Sequence, residues 1–210
     1  MNRHLAQAIS VLSHPLLLPS LLFAWLLYAA PSLLPQLAEK VRWLLLQSIF
    51  IFTFAIPILL LLLLHRLGLV SSLRLEERQE RLLPFVLIAS LYVFVAYGAC
   101  FITERNALDK QIAIVMLSIA ISLAVLSAIT FFWKISAHAL GIGGIVGLLG
   151  GLAQQHEAKS FLLLAVLACV LLSGLILSAR LALKAHTWQE LLGGWCVGWV
   201  LNFSLLKIFF

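Results

Sequence analysis

The stretch Phe161–Ala179, FLLLAVLACVLLSGLILSA, decides the fold of this chain. It contains no charged residue, and its length is close to the ~20 apolar residues that a helix needs to cross a bilayer. We therefore expect it to form a transmembrane helix. Six further stretches have a similar length or composition, and they run over residues 9–30, 43–64, 84–103, 111–133, 138–153 and 188–206.

The composition of the whole chain agrees with this prediction. Of its 210 residues 63% are hydrophobic, well above the roughly 45–50% of soluble domains. The formal net charge of +6 is spread along the chain, without the basic block that nucleic-acid binding requires. The sequence therefore predicts an all-α, polytopic integral membrane bundle of six to seven transmembrane helices. We expect residues 1–210 to form one domain, with the lipid bilayer as its surroundings and no nucleic acid as partner.

Two short polar clusters interrupt this apolar background. The first is Lys134-Ile135-Ser136-Ala137-His138, and the second contains Arg180, His186 and Glu190 within SARLALKAHTWQELLGGW. Only 10% of the residues are charged, and ionisable groups near membrane depth are costly and usually functional. The two clusters are therefore the candidate functional site.

The number of spans between the clusters predicts where they lie. Two predicted spans separate the arginine-rich loop 65–83 from residues 134–138, and two more separate these from residues 180–187. Because two spans bring a chain back to the membrane face it left, all three segments are expected at one face.

The second cluster has the spacing of a catalytic histidine. His186 and Glu190 are four residues apart and share a helix face if a helix begins near Thr187. The carboxylate can then fix the tautomer of the imidazole and leave its other nitrogen as a nucleophile or base. Arg180 is suited to binding a phosphate group.

The first cluster complements the second. Ser136 and His138 stand where a helix is expected to begin, and helix N-termini attract anions. His138 has the chemistry of a general acid. Asp109 is the single aspartate of the chain, so the clustered aspartates of Mg²⁺-dependent lipid transferases cannot be built. We therefore expect an anion site with no metal and no cofactor.

These clusters resemble the motifs of the type 2 phosphatidic acid phosphatase superfamily, which are membrane lipid phosphatases. That family has a lysine, six residues and Arg-Pro; then Ser-Gly-His; then Ser-Arg, five residues, His, three residues and Asp. This chain has Arg74, six residues and Arg81; then Ser136-Ala137-His138; then Ser178-Ala179-Arg180, five residues, His186, three residues and Glu190. The resemblance covers residues 74–210.

The resemblance implies a role for each matching residue. His186 would be the nucleophile that forms a phosphohistidine, Glu190 would orient it, and His138 would protonate the leaving group. The phosphoryl oxygens would be bound by Arg74, Arg81, Ser136 and Arg180, with Lys134 as a further candidate. The expected substrate is a membrane lipid phosphate or diphosphate, such as phosphatidic acid, phosphatidylglycerol phosphate or undecaprenyl diphosphate.

The chain departs from the family pattern in several places. It has Arg74 for Lys, Ala137 for Gly and Glu190 for Asp, and an extra Leu82-Leu83 separates Arg81 from Pro84. These differences motivate an alternative, a catalytically inactive membrane protein on the same scaffold that binds lipid headgroups or a protein partner. The number of spans alone suggests a third class, a small transporter or channel. That class predicts polar residues in mid-membrane, and the chain has few of them.

Glycines recur every four residues in the last and the third-last span. They are Gly143, Gly147 and Gly151 in one, and Gly194 and Gly198 in the other. Such stripes let membrane helices approach closely. We expect them to press the helix carrying His138 against the helix that follows His186.

The basic residues of the loops predict an orientation. Once the proposed phosphate ligands are set aside, more Lys and Arg residues lie on the face opposite the clusters, and cytoplasmic loops are enriched in these residues. We therefore expect a bacterial inner membrane protein with its active site on the extracytoplasmic face.

Overall fold

The computed structural model describes residues 1–30, 37–73, 75, 77–106, 110–155 and 159–209. These residues form helices and the turns between them, and none of them is in a strand. The helices are α1 (Arg3–Leu12), α2 (Leu18–Ala24), α3 (Glu39–Phe50), α4 (Ile56–Arg66), α5 (Arg78–Asn106), α6 (Lys110–Thr130), α7 (Ala137–Gln155), α8 (Lys159–Ala182) and α9 (Trp188–Phe209).

Six of the helices in the described part of the chain are long and apolar enough to cross a membrane. Their spanning segments are Glu39–Arg66, Arg78–Gly98, Gln111–Thr130, Ala137–Gln155, Ser160–Ala182 and Trp188–Phe209. The first joins α3 and α4 through a π-helical turn, Ile51–Ala55. The predicted all-α integral membrane bundle is thus confirmed, with six spanning helices.

The first apolar stretch, residues 9–30, does not form one span. Helix α1 ends at Leu12, where the hydroxyl of Ser13 donates to the main-chain oxygen of Ile9. Pro15 has no N–H for a further helical hydrogen bond and disfavours helical backbone at the preceding residue. The chain becomes helical again at Leu18, but the helix with its π-helical turn Trp25–Ala29 is too short to span.

The described residues group into two compact units. Unit 1 contains residues 1–15 and 132–210, and unit 2 contains residues 16–131. Unit 1 holds α1, α7, α8 and α9, and therefore both polar clusters. The expectation of one domain over residues 1–210 stays a prediction.

Helices α7 and α9 of unit 1 approach each other closely, as the glycine spacing predicts. A methyl group on Gly143 would overlap the main-chain carbonyl of Trp195, and one on Gly147 would overlap that of Trp199. From the other side, a methyl group on Gly198 would overlap the carbonyl of Leu140. Backbone therefore packs on backbone along this interface, which fixes the N-terminal ends of the two helices side by side.

A proline in unit 2 is accommodated by a neighbouring helix. Pro57 lacks the N–H that would donate to the carbonyl of Thr53, four residues earlier. The hydroxyl of Tyr92 donates to that carbonyl at 2.7 Å. In a membrane a freed carbonyl must find such a partner within the protein, so this hydrogen bond ties α5 to the π-helical turn before α4.

We predict that Gly143→Ala weakens unit 1, because its methyl group would meet the backbone of α9. Overpacking of this kind costs about 1–3 kcal/mol, so the thermal unfolding temperature in detergent should fall. Gly174→Ala is the matched control, since nothing lies within 4 Å of a methyl group there. Equal stability of the two variants would contradict the close approach of α7 and α9.

Candidate active site

The end of α8 turns the chain so that His186 follows soon after Arg180. The N–H of Lys184 donates to the carbonyl of Leu181 at 2.9 Å, and that of Ala185 donates to the carbonyl of Arg180 at 3.2 Å. Lys184 has a φ of 54°. This pair of bonds around a left-handed residue is the Schellman motif, which ends a helix and reverses the chain. Arg180 is in the last turn of α8, as predicted.

The start of α9 holds His186 from the other side. The side chain of Thr187 accepts the N–H of Glu190 at 3.4 Å, and Oε2 of Glu190 accepts the N–H of Thr187 at 3.1 Å. This reciprocal pair is a capping box, which satisfies N–H groups that a helix start leaves without partners. The predicted helix start near Thr187 is confirmed, and His186 stands between two helix caps.

The carboxylate of Glu190 also binds the imidazole of His186. Nδ1 of His186 lies 2.9 Å from Oε2 of Glu190. A carboxylate oxygen accepts, so the proton of the neutral ring is on Nδ1 and the lone pair is on Nε2. The side chain of His186 is only 2% exposed and that of Glu190 is 16% exposed. This arrangement is the one that the spacing of the two residues predicts.

The start of α7 is joined to the start of α9 through Ser136. The N–H of Ser136 donates to the main-chain carbonyl of Glu190 at 3.2 Å. Its hydroxyl accepts the N–H of Ala139 at 3.4 Å, as a helix N-cap does. A methyl group on Gly194 would lie 2.8 Å from the carbonyl of Ser136, so glycine allows this approach. Ser136 and His138 therefore lie at the same end of unit 1 as His186.

His138 is in the first turn of α7 and is buried. Its Nε2 lies 3.0 Å from the main-chain oxygen of Ser10 and 3.4 Å from the hydroxyl of the same residue. Arg180, His14 and His186 are near enough to His138 to interact with it electrostatically. The imidazoles of the two predicted clusters thus belong to one group of polar side chains in unit 1.

Helix α1 and the turn after it contribute two residues that the sequence did not single out. Nη1 of Arg180 donates to the hydroxyl of Ser10 at 2.6 Å. The ring of His14 stands edge-on to that of His138, with 6.0 Å between the ring centroids and 72° between the planes. Burial lowers the pKa of His14, and the positive charge of Arg180 lowers it further.

Nothing in the sequence marked these two residues strongly. His14 resembles other isolated histidines near apolar stretches, and Ser10 is one of many serines. The sequence does show that Pro15 and Pro19, which follow Ser10 and His14, interrupt the first apolar stretch. A polar residue beside such a break need not face lipid, and this is the only hint the sequence gives.

The remaining predicted phosphate ligands are Lys134, Arg81 and Arg74. Lys134 is partly exposed and makes no hydrogen bond or ion pair with the described residues. Arg81, in unit 2, is buried, and its Nε donates to the carbonyl of Leu75 at 2.6 Å. That bond stabilises a turn in which Leu75 has a φ of 49°. Arg74 lies outside the described residues. A phosphate-binding role for these three stays a prediction.

Two charged side chains of the arginine-rich segment 65–83 make hydrogen bonds within unit 2. Oε2 of Glu80 accepts the N–H and the hydroxyl of Ser71, at 3.1 and 2.8 Å. Arg78 donates to the carbonyl of Phe131 at 2.9 Å. These contacts give Glu80 and Arg78 a structural role within unit 2.

The group in unit 1 has the composition of an anion site. It combines a guanidinium, three imidazoles and two hydroxyls with a single carboxylate, which is bound to His186. The N–H groups at the starts of α7 and α9 add positive electrostatic potential. Among the described residues no three His, Cys, Asp or Glu side chains come together as a metal-binding set. The arrangement can bind a phosphoryl group, supply a nucleophilic nitrogen and transfer a proton.

We predict that acid destabilises the protein partly through His14. The unfolded chain takes up a proton near the ordinary pKa of about 6.5, and the folded chain only at lower pH, so stability falls as the pH falls between these two values. The thermal unfolding temperature should therefore drop from about pH 7.5 to about pH 5.5, and less in His14→Gln. His4→Gln, an exposed position on α1, is the control. An identical fall in the unfolding temperature of the wild type and of both variants would refute the contribution of His14.

The chain was compared with protein-family models, with curated proteins and with solved structures. No family model matches it, and no curated protein or solved structure matches it either. The case for a function therefore depends on the contacts within the chain.

Proposed function

We propose that this protein is a membrane lipid phosphatase that works through a phosphohistidine intermediate on His186. The observation that carries the proposal is the hydrogen bond from Nδ1 of His186 to Glu190, in the same group as Arg180 and His138. A histidine oriented by a carboxylate is an activated nucleophile. The adjacent guanidinium makes a phosphoryl group the best electrophile for it.

In the first step, the lone pair on Nε2 of His186 attacks phosphorus. The bond between phosphorus and the lipid oxygen breaks, and the ring of His138, which the negative charge of the bound phosphate keeps doubly protonated, gives that oxygen a proton. Arg180 and the hydroxyl of Ser136 bind the phosphoryl oxygens, where negative charge must be stabilised. Glu190 stabilises the positive charge that develops on His186.

In the second step, water releases the phosphoryl group. His138, now neutral, accepts a proton from water while the water oxygen attacks phosphorus and the phosphorus–nitrogen bond breaks. His186 returns to its starting state and His138 is again protonated. The sum is hydrolysis of a lipid phosphate to a lipid alcohol and inorganic phosphate, or of a lipid diphosphate to a lipid phosphate and inorganic phosphate.

The substrate follows from the surroundings of the site. The group lies at the ends of spanning helices, so a phosphate attached to a lipid can reach it from the membrane. Phosphatidic acid, phosphatidylglycerol phosphate and undecaprenyl diphosphate all present a terminal phosphoryl group of this kind. Arg74, Arg81 and Lys134 are proposed as additional phosphate ligands. The histidine and the guanidinium supply the nucleophile and the positive charge, so the proposed reaction requires no metal ion.

The alternative is an inactive protein that binds lipid headgroups or a protein partner at this group. It is favoured by the second role of two of the residues, since Glu190 completes the cap of α9 and Ser136 caps α7. In this alternative Glu190 and Ser136 stabilise the starts of the two helices, and the group binds a phosphate without hydrolysing its ester.

We predict that the purified protein releases inorganic phosphate from at least one of the three lipids with a chelator present. His186→Ala should abolish release, because the proposed nucleophile is removed. Glu190→Gln should lower kcat on the order of 10⁴-fold, the effect seen when a catalytic histidine loses its orienting carboxylate. Radiolabelled substrate should leave an acid-labile, alkali-stable label on the wild type and none on His186→Ala.

His65→Ala is the matched control, because His65 is in unit 2 and its Nδ1 contacts the carbonyl of Val70. It should keep full activity. Undiminished activity in His186→Ala would refute the mechanism. Activity that disappears with the chelator would show a metal-dependent reaction instead. Tight binding of a lipid phosphate without release of phosphate would favour the inactive alternative.

We also propose that the group faces away from the cytoplasm of a bacterial inner membrane, which the distribution of Lys and Arg supports. We predict that Lys184→Cys, in the exposed turn beside the site, is labelled in intact spheroplasts by a thiol reagent that cannot cross membranes. Gln154→Cys, exposed at the opposite end of α7, should be labelled only after lysis. Both variants require a background in which the three native cysteines are alanine. The reverse pattern would invert the proposed orientation.

A further inference from the structure

One narrow face of helix α1 contacts the group of polar side chains that contains Arg180, His138 and His186. Its buried residues are Ala6 and Ser10, which are four residues apart and so lie one turn above the other. Helix α1 packs against α8, the helix that carries Arg180. Leu5, Val11 and Leu12 on the other sides of α1 are exposed. Ser10 is therefore the polar residue through which this helix meets the proposed active site.

Ser10 makes two kinds of contact with the proposed machinery. Its hydroxyl accepts from Nη1 of Arg180 at 2.6 Å. Its main-chain oxygen accepts from Nε2 of His138 at 3.0 Å. The first is a short, charge-assisted hydrogen bond, which is stronger than one between neutral groups. One buried residue thus fixes both the phosphate ligand and the proton donor.

The contact with His138 determines which ring nitrogen does the chemistry. A carbonyl oxygen accepts, so Nε2 carries a proton in both the neutral and the charged ring. Nδ1 makes no hydrogen bond with the described residues, and it is the nitrogen that gains and loses the transferable proton. Ser10 therefore does for His138 what Glu190 does for His186.

The two acceptors differ in charge, and the difference suits the two roles. A carboxylate stabilises a positively charged imidazole and keeps the nucleophile oriented while it carries the phosphoryl group. A neutral carbonyl orients its imidazole but holds the charge less strongly, which suits a residue that must give up a proton in each turnover.

We propose that Ser10 is a positioning residue of the active site, which aims the guanidinium of Arg180 through its hydroxyl and sets the reactive nitrogen of His138 through its main-chain carbonyl. This inference rests on the proposed phosphatase function. It makes α1 a part of the catalytic unit, although α1 matches none of the three motifs.

The test compares three variants of the full-length protein. Ser10→Ala should raise KM for the lipid phosphate about tenfold, the effect of losing about 1.4 kcal/mol, because the hydroxyl that accepts from Nη1 of Arg180 is removed. Ser10→Thr keeps a hydroxyl and should restore KM to near the wild-type value. Ser13→Ala is the matched control, since the hydroxyl of Ser13 donates to the carbonyl of Ile9 at the end of α1. It should leave KM and kcat unchanged.

A double-mutant cycle separates positioning from folding. In an Arg180→Ala background, Ser10→Ala should have little further effect on KM, because the group that it positions is gone. The same tenfold loss in that background would overturn the proposal. So would an unchanged KM in Ser10→Ala, an equal loss in Ser13→Ala, or a loss that Ser10→Thr does not restore.

A binding measurement keeps the proposal testable if the protein releases no phosphate from any lipid, in which case the phosphatase function fails. Orthovanadate, a phosphate analogue, should then still raise the thermal unfolding temperature of the wild type and of Ser13→Ala, and raise that of Ser10→Ala much less. An equal rise in the three proteins would overturn the role of Ser10 in aiming Arg180. If orthovanadate does not raise the unfolding temperature of the wild type, both the anion site and the proposed role of Ser10 are overturned.

Discussion

The arrangement of the site depends on three hydrogen bonds that meet at Glu190. Its carboxylate accepts the N–H of Thr187 and the ring N–H of His186, and its main-chain carbonyl accepts the N–H of Ser136. One residue therefore begins α9, sets the tautomer of the proposed nucleophile and joins α9 to the start of α7. A glutamate suits this combination, because its side chain reaches back over the cap while its backbone continues the helix.

The packing of α7 against α9 makes those hydrogen bonds possible. Gly143, Gly147 and Gly198 remove the side chains that would hold the two helices apart. The aromatic side chains of Trp195, Trp199 and Phe203 stack on one another along α9, with 6.2 and 5.9 Å between successive ring centroids. The glycines thus allow the close approach of α7, and the ring of Phe203 packs beside Gly150 of that helix. Because backbone packs on backbone, the positions of the two helix starts are closely determined.

The sequence predicted the spanning helices and the geometry around His186 because both depend on local information. Hydrophobic runs mark spans, and the spacing from Thr187 to Glu190 marks a helix cap. It left open whether residues 9–30 span, because their total hydrophobicity favours a span while Pro15 and Pro19 interrupt it. It could not predict Ser10, whose partners are 128 and 170 residues away. Nor could it predict the hydrogen bond from Arg81 to the carbonyl of Leu75. A charged residue in a predicted loop can stabilise a turn or bind a substrate, and its sequence does not distinguish the two roles.

The separation of Ser10 from Arg180 also has a consequence for biosynthesis. A ribosome adds roughly 5–20 residues per second, so the 170 residues between them take about 10–30 seconds to make. During this time α1 exists without the helix against which it packs. Its exposed leucines and valine give it an apolar surface that can rest in the lipid headgroup region. The membrane surface can therefore hold α1 until α8 has been inserted.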